Sequence, residues 1–580
     1  MELFHSAKQR LGWDNKRFAT VLILSLIILP ASILLVTISR SSTFTGAGGF
    51  SITQILKGKS RQQAPATFGE LREHLASPPS VAPTPSPGFR TQQDSSNRND
   101  EALLDGLLTS PGADEPSCLS RHQSYRKHSP HKPSPYLISK LRKYEDLHRR
   151  CGPGTKSYKR EIRKLTKLDR VDRDHSSEEY CKYVIWLPAN GLGNRMISIA
   201  STFLFALLTD RVLLLHQRPD MEDLFCEPFP NSSWVLPVDK FPLQKEFWDE
   251  KDRHSHSIGS LMEKGNSSAA RNESTRAQAS SYLFVNVNHG RYDGDNVFYC
   301  DRGQASIEKI PWLIMLSDQY YAPAFFVMKR FEKEVTKMFP EKDTVFHHLG
   351  RYLFHPSNQA WGLIKRFYRA YLEKADQRIG LQIRVFNPKT VPFQTVMDQI
   401  LECSSKENNI LPKLDDAKPV ATSESGNRTS SKAILAVSLY SEYYEHIKNM
   451  YWTKPTVEGD VIGVYQPSHE EYQKFGDNMH NMKAWAEISL LSTCDVLVTS
   501  AWSTFGYVAQ GLGGLKPWIL HKVNDQNVPN PACVEDLSME PCFHFPPTCD
   551  CDTDEKVDAG ALVPYLRHCK DLNWGVKLVD

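Results

Sequence analysis

Arg384, closing the apolar run GLQIRVF, and Ser503 and Thr504, following another in VLVTSAWSTFGYVAQGLGGLKPWIL, are the residue types best placed for chemistry in this 580-residue chain. Hydroxyls and backbone N–H groups at a helix start favour anions, because the helix dipole leaves about half a positive charge there. A guanidinium grips a diphosphate through two parallel hydrogen bonds and stabilises charge growing on a leaving group. The second motif lacks Gly-Lys-Ser/Thr and is not a Walker loop, so the pair reads as a grip on a nucleotide diphosphate rather than a device for splitting a γ-phosphate. An ordinary N-cap at Ser503 and a structural ion pair at Arg384 are the plain alternatives.

Other candidates are less specific. PANGLGNR places Gly191, Gly193, Asn194 and Arg195 at the start of a helical segment. Its amides could meet the same ligand, or its glycines could serve a tight turn alone. His480 and Asn481 open the amphipathic NMHNMKAWAEISLLS and could reach a nucleotide or cap the helix. Asp318, in PWLIMLSDQYYAP, stands where burial would perturb its carboxyl and neighbouring rings could hold a sugar, with a turn cap as the alternative. Asp293 and Asp295 have the Asp-x-Asp spacing that binds nucleotide-bound divalent cations in metal-dependent glycosyltransferases, but no buried strand leads into them and they read as a loop. No Gly-x-Ser-x-Gly elbow, His-Glu-x-x-His helix or Gly-x-Gly-x-x-Gly turn occurs in the required context, so hydrolase, metalloprotease and dehydrogenase chemistry lack support.

The elements that must hold these residues follow from hydrophobic spacing. YVIWL, a helix from Met196 to Leu208 and RVLLL make a βαβ unit. A second series alternates RIGLQIRVF, AILAVSL, VIGVY, VLVTS and PWIL with helical patterns, among them SEYYEHIKNMY and GYVAQGL. Short strands alternating with longer helices predict parallel sheets with right-handed crossovers, hence two Rossmann-like domains facing a cleft. Upstream, Leu137, Leu141, Tyr144 and Leu147 recur at helical spacing and stop at Gly152-Pro153. The Lys/Arg-rich segment SYKREIRKLTKL then reads as a solvated helical face rather than a nucleic-acid patch.

Phe18 to Ile38 carries no charge and is long enough to cross a bilayer. Lys8, Arg10, Lys16 and Arg17 precede it, which keeps the N-terminus cytosolic and sends the rest to the lumen. All twelve cysteines lie beyond this run, and their spacing suits disulfides better than zinc. Sequons at Asn231, Asn266, Asn272 and Asn427 suit the same address. The expected division is a tail at 1–17, a signal anchor at 18–38, a disordered Pro/Ser-rich stem at 39–134, an acceptor-side domain at 135–375, a nucleotide-sugar domain at 376–545 and a Cys-containing tail at 546–580. A net charge of +3 excludes nothing.

GLGNRMISIASTFLFALLTDRVLLL, IPWLIMLSDQYY, TVFHHLGRYLFHPSNQAWGLI, IGLQIRVF and HNMKAWAEISLLSTCDVLVTSAWSTFGYVAQGLGGLKPW, in that order, resemble the plant cell-wall fucosyltransferases of the xyloglucan α-1,2-fucosyltransferase family. The resemblance implies a single-pass type II Golgi enzyme of GT-B fold. Such an enzyme moves L-fucose from GDP-β-L-fucose to a glycan hydroxyl with inversion and without a metal or other cofactor. It implies that Arg384 binds the GDP diphosphate, that Ser503, Thr504 and Phe505 line the GDP site, and that Asp318 lies in the active-site cleft, leaving either Asp318 or water to take the proton. Donor contacts from Gly191 to Arg195 and from His480 and Asn481 follow by the same carry-over. The implied partners are GDP-fucose, a polysaccharide or glycoprotein glycan and the Golgi membrane, with no nucleic acid and with a homodimer left open. Xyloglucan galactose and arabinogalactan-protein arabinose both suit as acceptors. A protein O-fucosyltransferase, another nucleotide-sugar transferase and an idle glycan-binding scaffold are the competing readings.

Overall fold

The computed structural model describes residues 103–108, 118–123, 129–166, 180–266, 281–290, 293–416, 430–523, 526–548, 551 and 555–580. The expected tail and anchor, Asn272 and Asn427 lie outside the described residues, as does the side chain of Asn266.

Helix α1 (Pro135–Cys151) starts where local chemistry dictates. The Ser134 hydroxyl accepts from the Leu137 amide at 3.0 Å, Pro135 occupies a position whose N–H would have no helical partner, and the helix gives way to Gly152. Leu137, Leu141 and Tyr144 form its buried face. β1 (Lys182–Pro188), α2 (Leu192–Thr209) and β2 (Arg211–Leu215) are the expected βαβ unit, with the helix starting at Leu192 rather than Met196. β3 (Tyr282–Asn286) and β4 (Trp312–Ser317) complete a four-stranded parallel sheet in the order β2-β1-β4-β3. α2 is apolar on almost every side because it is enclosed by protein; by composition it could span a membrane, but it is a core helix with 83% of its length buried.

Helices α3 (Val345–Leu353) and α4 (Asn358–Phe367) lead into the second series. It runs β5 (Gln377–Ile383), α5 (Phe393–Leu401), β6 (Ser431–Ser438), α6 (Ser441–Thr453), β7 (Val461–Tyr465), α7 (Asn478–Leu491), β8 (Val496–Ser500), α8 (Thr504–Gly513), β9 (Trp518–Leu520) and β10 (Cys533–Glu535). The strand order is β10-β9-β8-β5-β6-β7, parallel except for β10 against β9. The chain leaves β5 to one side for β6 and returns on the other as β8. The end of β5 is therefore the topological switch point, where open α/β sheets leave a crevice for ligands. One apolar core joins both series: Phe203 of α2, Tyr352 of α3, Trp485 of α7 and Val508 of α8 all belong to it.

Two expected boundaries move. The stem is ordered in part: Leu107 and Leu108 of LLDGLL are buried in the main core, Cys118 is bonded to Cys226, and the Ser129 hydroxyl lies 2.8 Å from His347 Nε2. Four leucines are too short a run to register as an element, and only the body they dock on reveals them. The Cys-containing tail is likewise part of the body. β11 (Leu566–His568) and β12 (Val576–Leu578) form a hairpin, Val576 bridges to Phe543, and Cys300–Cys551 ties the segment to the first series. Cys151–Cys181, Cys403–Cys533 and Cys542–Cys569 are the other disulfides, with Cys494 buried as a free thiol.

Candidate active site

Pairing of Gln382 with Thr499 sets the ends of β5 and β8 side by side, so Arg384 and the turn Ala501–Ser503 leave the same edge of the sheet. The Ser500 hydroxyl accepts from the Arg384 amide at 2.9 Å and fixes the main chain there. The side chain is half-buried, donates from Nη2 to Gln473 Oε1 at 3.0 Å and lies 5.4 Å from the Phe386 ring. Among the described residues no carboxylate forms an ion pair with it. Burial accordingly lowers its affinity for the proton, and only Tyr440 acts in the opposite sense. A desolvated cation whose polar partner is a neutral amide is incomplete without an anion.

Two helix N-termini meet beside it. α8 begins after Ser503, a buried N-cap whose hydroxyl makes no capping bond, and α2 begins after Gly191, which has no side chain to cap with. The first-turn amides of both helices lack capping side chains. The two starts are in contact: a Cβ on Gly193 would come within 2.7 Å of the Thr504 carbonyl carbon and 2.8 Å of the Phe505 nitrogen. Close approach, rather than a tight turn, is therefore what requires glycine at 193. Asn194 clasps the junction, its Oδ1 accepting from the Thr504 hydroxyl at 3.0 Å and its Nδ2 donating to the Asp318 carbonyl at 3.2 Å. Gln473 reaches across as well, its Nε2 lying 3.2 Å from where a Cβ on Gly191 would sit. Two positive helix ends brought together beside an unpaired guanidinium suit a ligand carrying at least two negative charges.

Asp318 follows β4 and is 1% exposed. Asn190 Nδ2 donates to its Oδ2 at 2.5 Å, and the His289 amide and Gln319 Nε2 donate to Oδ1 at 3.0 and 2.8 Å. His289 Nδ1 donates to Oδ2 as well, yet the His289 side chain is 54% exposed. Asp318 is thus buried below the α2 start, its oxygens occupied and screened from a substrate hydroxyl; the group that reaches solvent from this pair is the imidazole.

Several expected contacts turn inward. Arg195 is buried, pairs with Asp220 at 2.9 Å and donates to the Asn190 carbonyl at 2.9 Å, which shapes the loop from within. Asn481 donates to the Asp220 carbonyl at 2.8 Å, stitching α7 to the same point. His480 lies 3.0 Å from Glu470, which Lys474 and Lys483 also hold at 2.9 and 2.5 Å. These hydrogen bonds push the Glu470 carboxyl down to about 2. That network ties down Glu470, three residues before Gln473 in the same loop. Phe505 is partly buried against the main core at the start of α8. Asp295 lies in a short 3-10 helix and accepts from the Gly259 amide at 3.1 Å, a structural duty. Among the described residues the one cluster with metal-ligand spacing is Cys542, Cys569 and Asp571, and its two sulfurs are spent in a disulfide. Asn231 is exposed on a surface turn.

Sequence reasoning missed His289, Asn190 as an Asp318 partner, Gln473 and Asp571. Asp571 comes from the C-terminal segment and accepts from the Trp502 amide at 2.9 Å and the Tyr507 hydroxyl at 2.5 Å, holding the turn before α8 from below. Trp502 there has φ +63°, strained for a bulky residue. For His289 the placement comes from strand pairing, which the sequence does not spell out. β3 and β4 are parallel with Asn286 opposite Leu316, so His289 and Asp318 leave neighbouring strand ends at the same level.

Residues 84–552 match the family model described as xyloglucan fucosyltransferase. The chain belongs to the xyloglucan fucosyltransferase family. It is 52% identical over 486 residues to the galactoside 2-alpha-L-fucosyltransferase of Arabidopsis thaliana, covering 83% of this chain and 84% of that one. It is 49% identical over 482 residues to the Pisum sativum protein of the same name, covering 83% and 82%. A solved structure of Arabidopsis thaliana FUT1, a mutant in complex with GDP, superposes with TM-score 0.73 at 50% identity, covering 82% of this chain and all of that one. The two Rossmann-like units of this family member form a GT-B fold, and the chain is a glycosyltransferase.

Proposed function

We propose that this xyloglucan fucosyltransferase family member transfers L-fucose from GDP-β-L-fucose, with inversion, to a hydroxyl of a plant cell-wall glycan, either xyloglucan galactose or arabinogalactan-protein arabinose. The observation that carries this reading is the contact between the α2 and α8 starts beside Arg384, whose guanidinium has no carboxylate partner among the described residues. The diphosphate of GDP-fucose carries two negative charges, and a third develops on GDP as it departs. The Arg384 guanidinium, the α8 amides and the Ser503 hydroxyl would bind it more tightly as the bond to fucose lengthens, and such preorganised donors lower the barrier. The acceptor hydroxyl attacks the anomeric carbon from the opposite face. Charge from these groups would do the work of a divalent cation at the diphosphate, which supports a reaction without metal. The apolar run at 18–38, its basic flank and the disulfides support a Golgi type II membrane protein with the catalytic part lumenal.

The test is to give the purified full chain GDP-fucose, UDP-sugars and CMP-sugars with a panel of wall oligosaccharides and a peptide acceptor, and to read products by mass and linkage. Fucose transfer from GDP-fucose to a wall oligosaccharide, unaffected by a chelator, is expected. Transfer only to peptide, only from another donor, or none at all would refute the reading.

A further inference from the structure

We propose that the His289 imidazole is the general base that takes the proton from the acceptor hydroxyl, and that Asp318 is its positioning residue. The inference rests on the fucosyl-transfer reading above and supplies the one component that reading leaves unassigned.

Geometry singles out His289. Its Nδ1 donates to Asp318 Oδ2 and its backbone amide donates to Oδ1 at 3.0 Å, so one buried carboxylate fixes both ring and main chain. A ring that donates from Nδ1 carries its lone pair on Nε2, and among the described residues Nε2 has no hydrogen-bond partner. The carboxylate is itself held by Asn190 and Gln319, which leaves it little freedom to turn. Its position is also right. Asn190 lies immediately before the α2 start, and the Asp318 carbonyl is bound by Asn194, which holds Thr504 at the α8 start. The imidazole is thus linked through Asp318 and Asn194 to the α8 start, on the side of the first sheet. Across from it lies Phe545, ring centroid 6.2 Å away and exposed, a surface suited to the apolar face of a sugar.

The other titratable groups facing this corner are His544, Asp571 and Asp318. His544 is the competing imidazole. Its Nε2 is engaged with the Tyr507 hydroxyl at 3.1 Å, the hydroxyl in turn donates to Asp571, and burial disfavours its protonation. Asp571 and Asp318 favour its imidazolium without a direct hydrogen bond to the ring, whereas His289 has a carboxylate in contact.

The step balances as a single displacement. The acceptor oxygen's lone pair forms the bond to the anomeric carbon, the bond from that carbon to the diphosphate oxygen breaks, and GDP leaves with its electron pair. The hydroxyl proton passes to His289 Nε2, giving an imidazolium facing the Asp318 carboxylate, and returns to solvent when product departs. Asp318 exchanges no proton in this step and serves to hold the ring.

The experiment compares wild type with His289→Gln, His289→Ala and Asp318→Asn in the full chain, measuring GDP affinity, kcat with acceptor, and the dependence of kcat on pH. His289 is largely exposed, so its replacement leaves the fold intact. Expected are a fall in kcat of about 10²- to 10⁴-fold in His289→Gln with GDP affinity unchanged, loss of the acid limb of the pH profile, and partial recovery of His289→Ala with added imidazole. Asp318→Asn should lower kcat and displace the acid limb, because an amide no longer enforces the Nδ1–H tautomer. Undiminished kcat in His289→Gln, an unchanged acid limb, or a kcat loss matched by lost GDP affinity would each overturn the assignment. If wild type itself transfers no fucose, the fucosyl-transfer reading fails instead.

Discussion

Arg384→Ala separates catalysis from folding more cleanly than any other change in the nucleotide crevice. The main chain at 384 is held through its amide by Ser500, so removing the side chain leaves the end of β5 in place. What is lost inside the protein is one bond to Gln473 and the contact with the Phe386 ring, and what is relieved is a half-buried cation with no carboxylate partner among the described residues. A charged hydrogen bond contributes about 1.5–3 kcal/mol and the penalty of an unpaired buried charge is at least comparable, so the two nearly cancel. The melting temperature of the free protein should therefore move little or rise. The reaction feels the full effect, because a donor aimed at developing charge is worth about 10² to 10³ in kcat. Arg384→Lys keeps the charge but not the planar fork, and should fall between wild type and Ala. GDP release from GDP-fucose in the presence of acceptor, followed over time beside thermal melts, reads both quantities. Undiminished turnover by folded Arg384→Ala would refute the assignment, as would a melting temperature falling in step with activity.

Gly193→Ala drives a methyl into the Thr504 and Phe505 backbone and should cost about 1–3 kcal/mol of stability together with GDP affinity, measured by melts and calorimetric titration. Glu487 and Glu540 are buried, and burial pushes both up to about 8. Their folded-state values exceed the unfolded ones, so the folded protein holds more protons between about pH 4.5 and 8, and stability should fall as pH rises through that window by up to about 1.4 kcal/mol per pH unit per group. Glu540→Gln should flatten the dependence of melting temperature on pH. Glu470 has the opposite sign: its tie to Lys483, His480 and Lys474 should persist until the pH falls from about 4.5 towards 2, so activity lost at milder acidity has another origin.

The second sheet was legible from sequence because buried parallel strands are written as short apolar runs between amphipathic helices, and RIGLQIRVF, AILAVSL and VLVTS have no competing pattern. Arg384 and Ser503 were legible with it, since residues at the carboxyl ends of such strands line the crevice whatever the loops do. Arg195, His480 and Asn481 show where this stops. Their types and places near helix starts suit a ligand, but Asp220 and Glu470, distant in sequence or in a loop, claim their polar atoms. His289 was hidden for the converse reason: HGRYDGDN is polar throughout, and its Asp-x-Asp spacing draws attention from the histidine, whose significance depends on which strand lies beside β3.

The abutting starts of α2 and α8 bear on how product leaves. In the unliganded enzyme two like-signed helix ends and a guanidinium repel across the seam between the Rossmann-like units, while a bound diphosphate attracts both sides at once. The nucleotide then acts as mortar. GDP should raise the melting temperature, by the equivalent of about 2.7 kcal/mol at a hundredfold excess over its dissociation constant. Because fucose makes no part of that adhesion, the seam stays cemented after the sugar has gone, and parting of the two units to free GDP becomes the natural slow step of turnover.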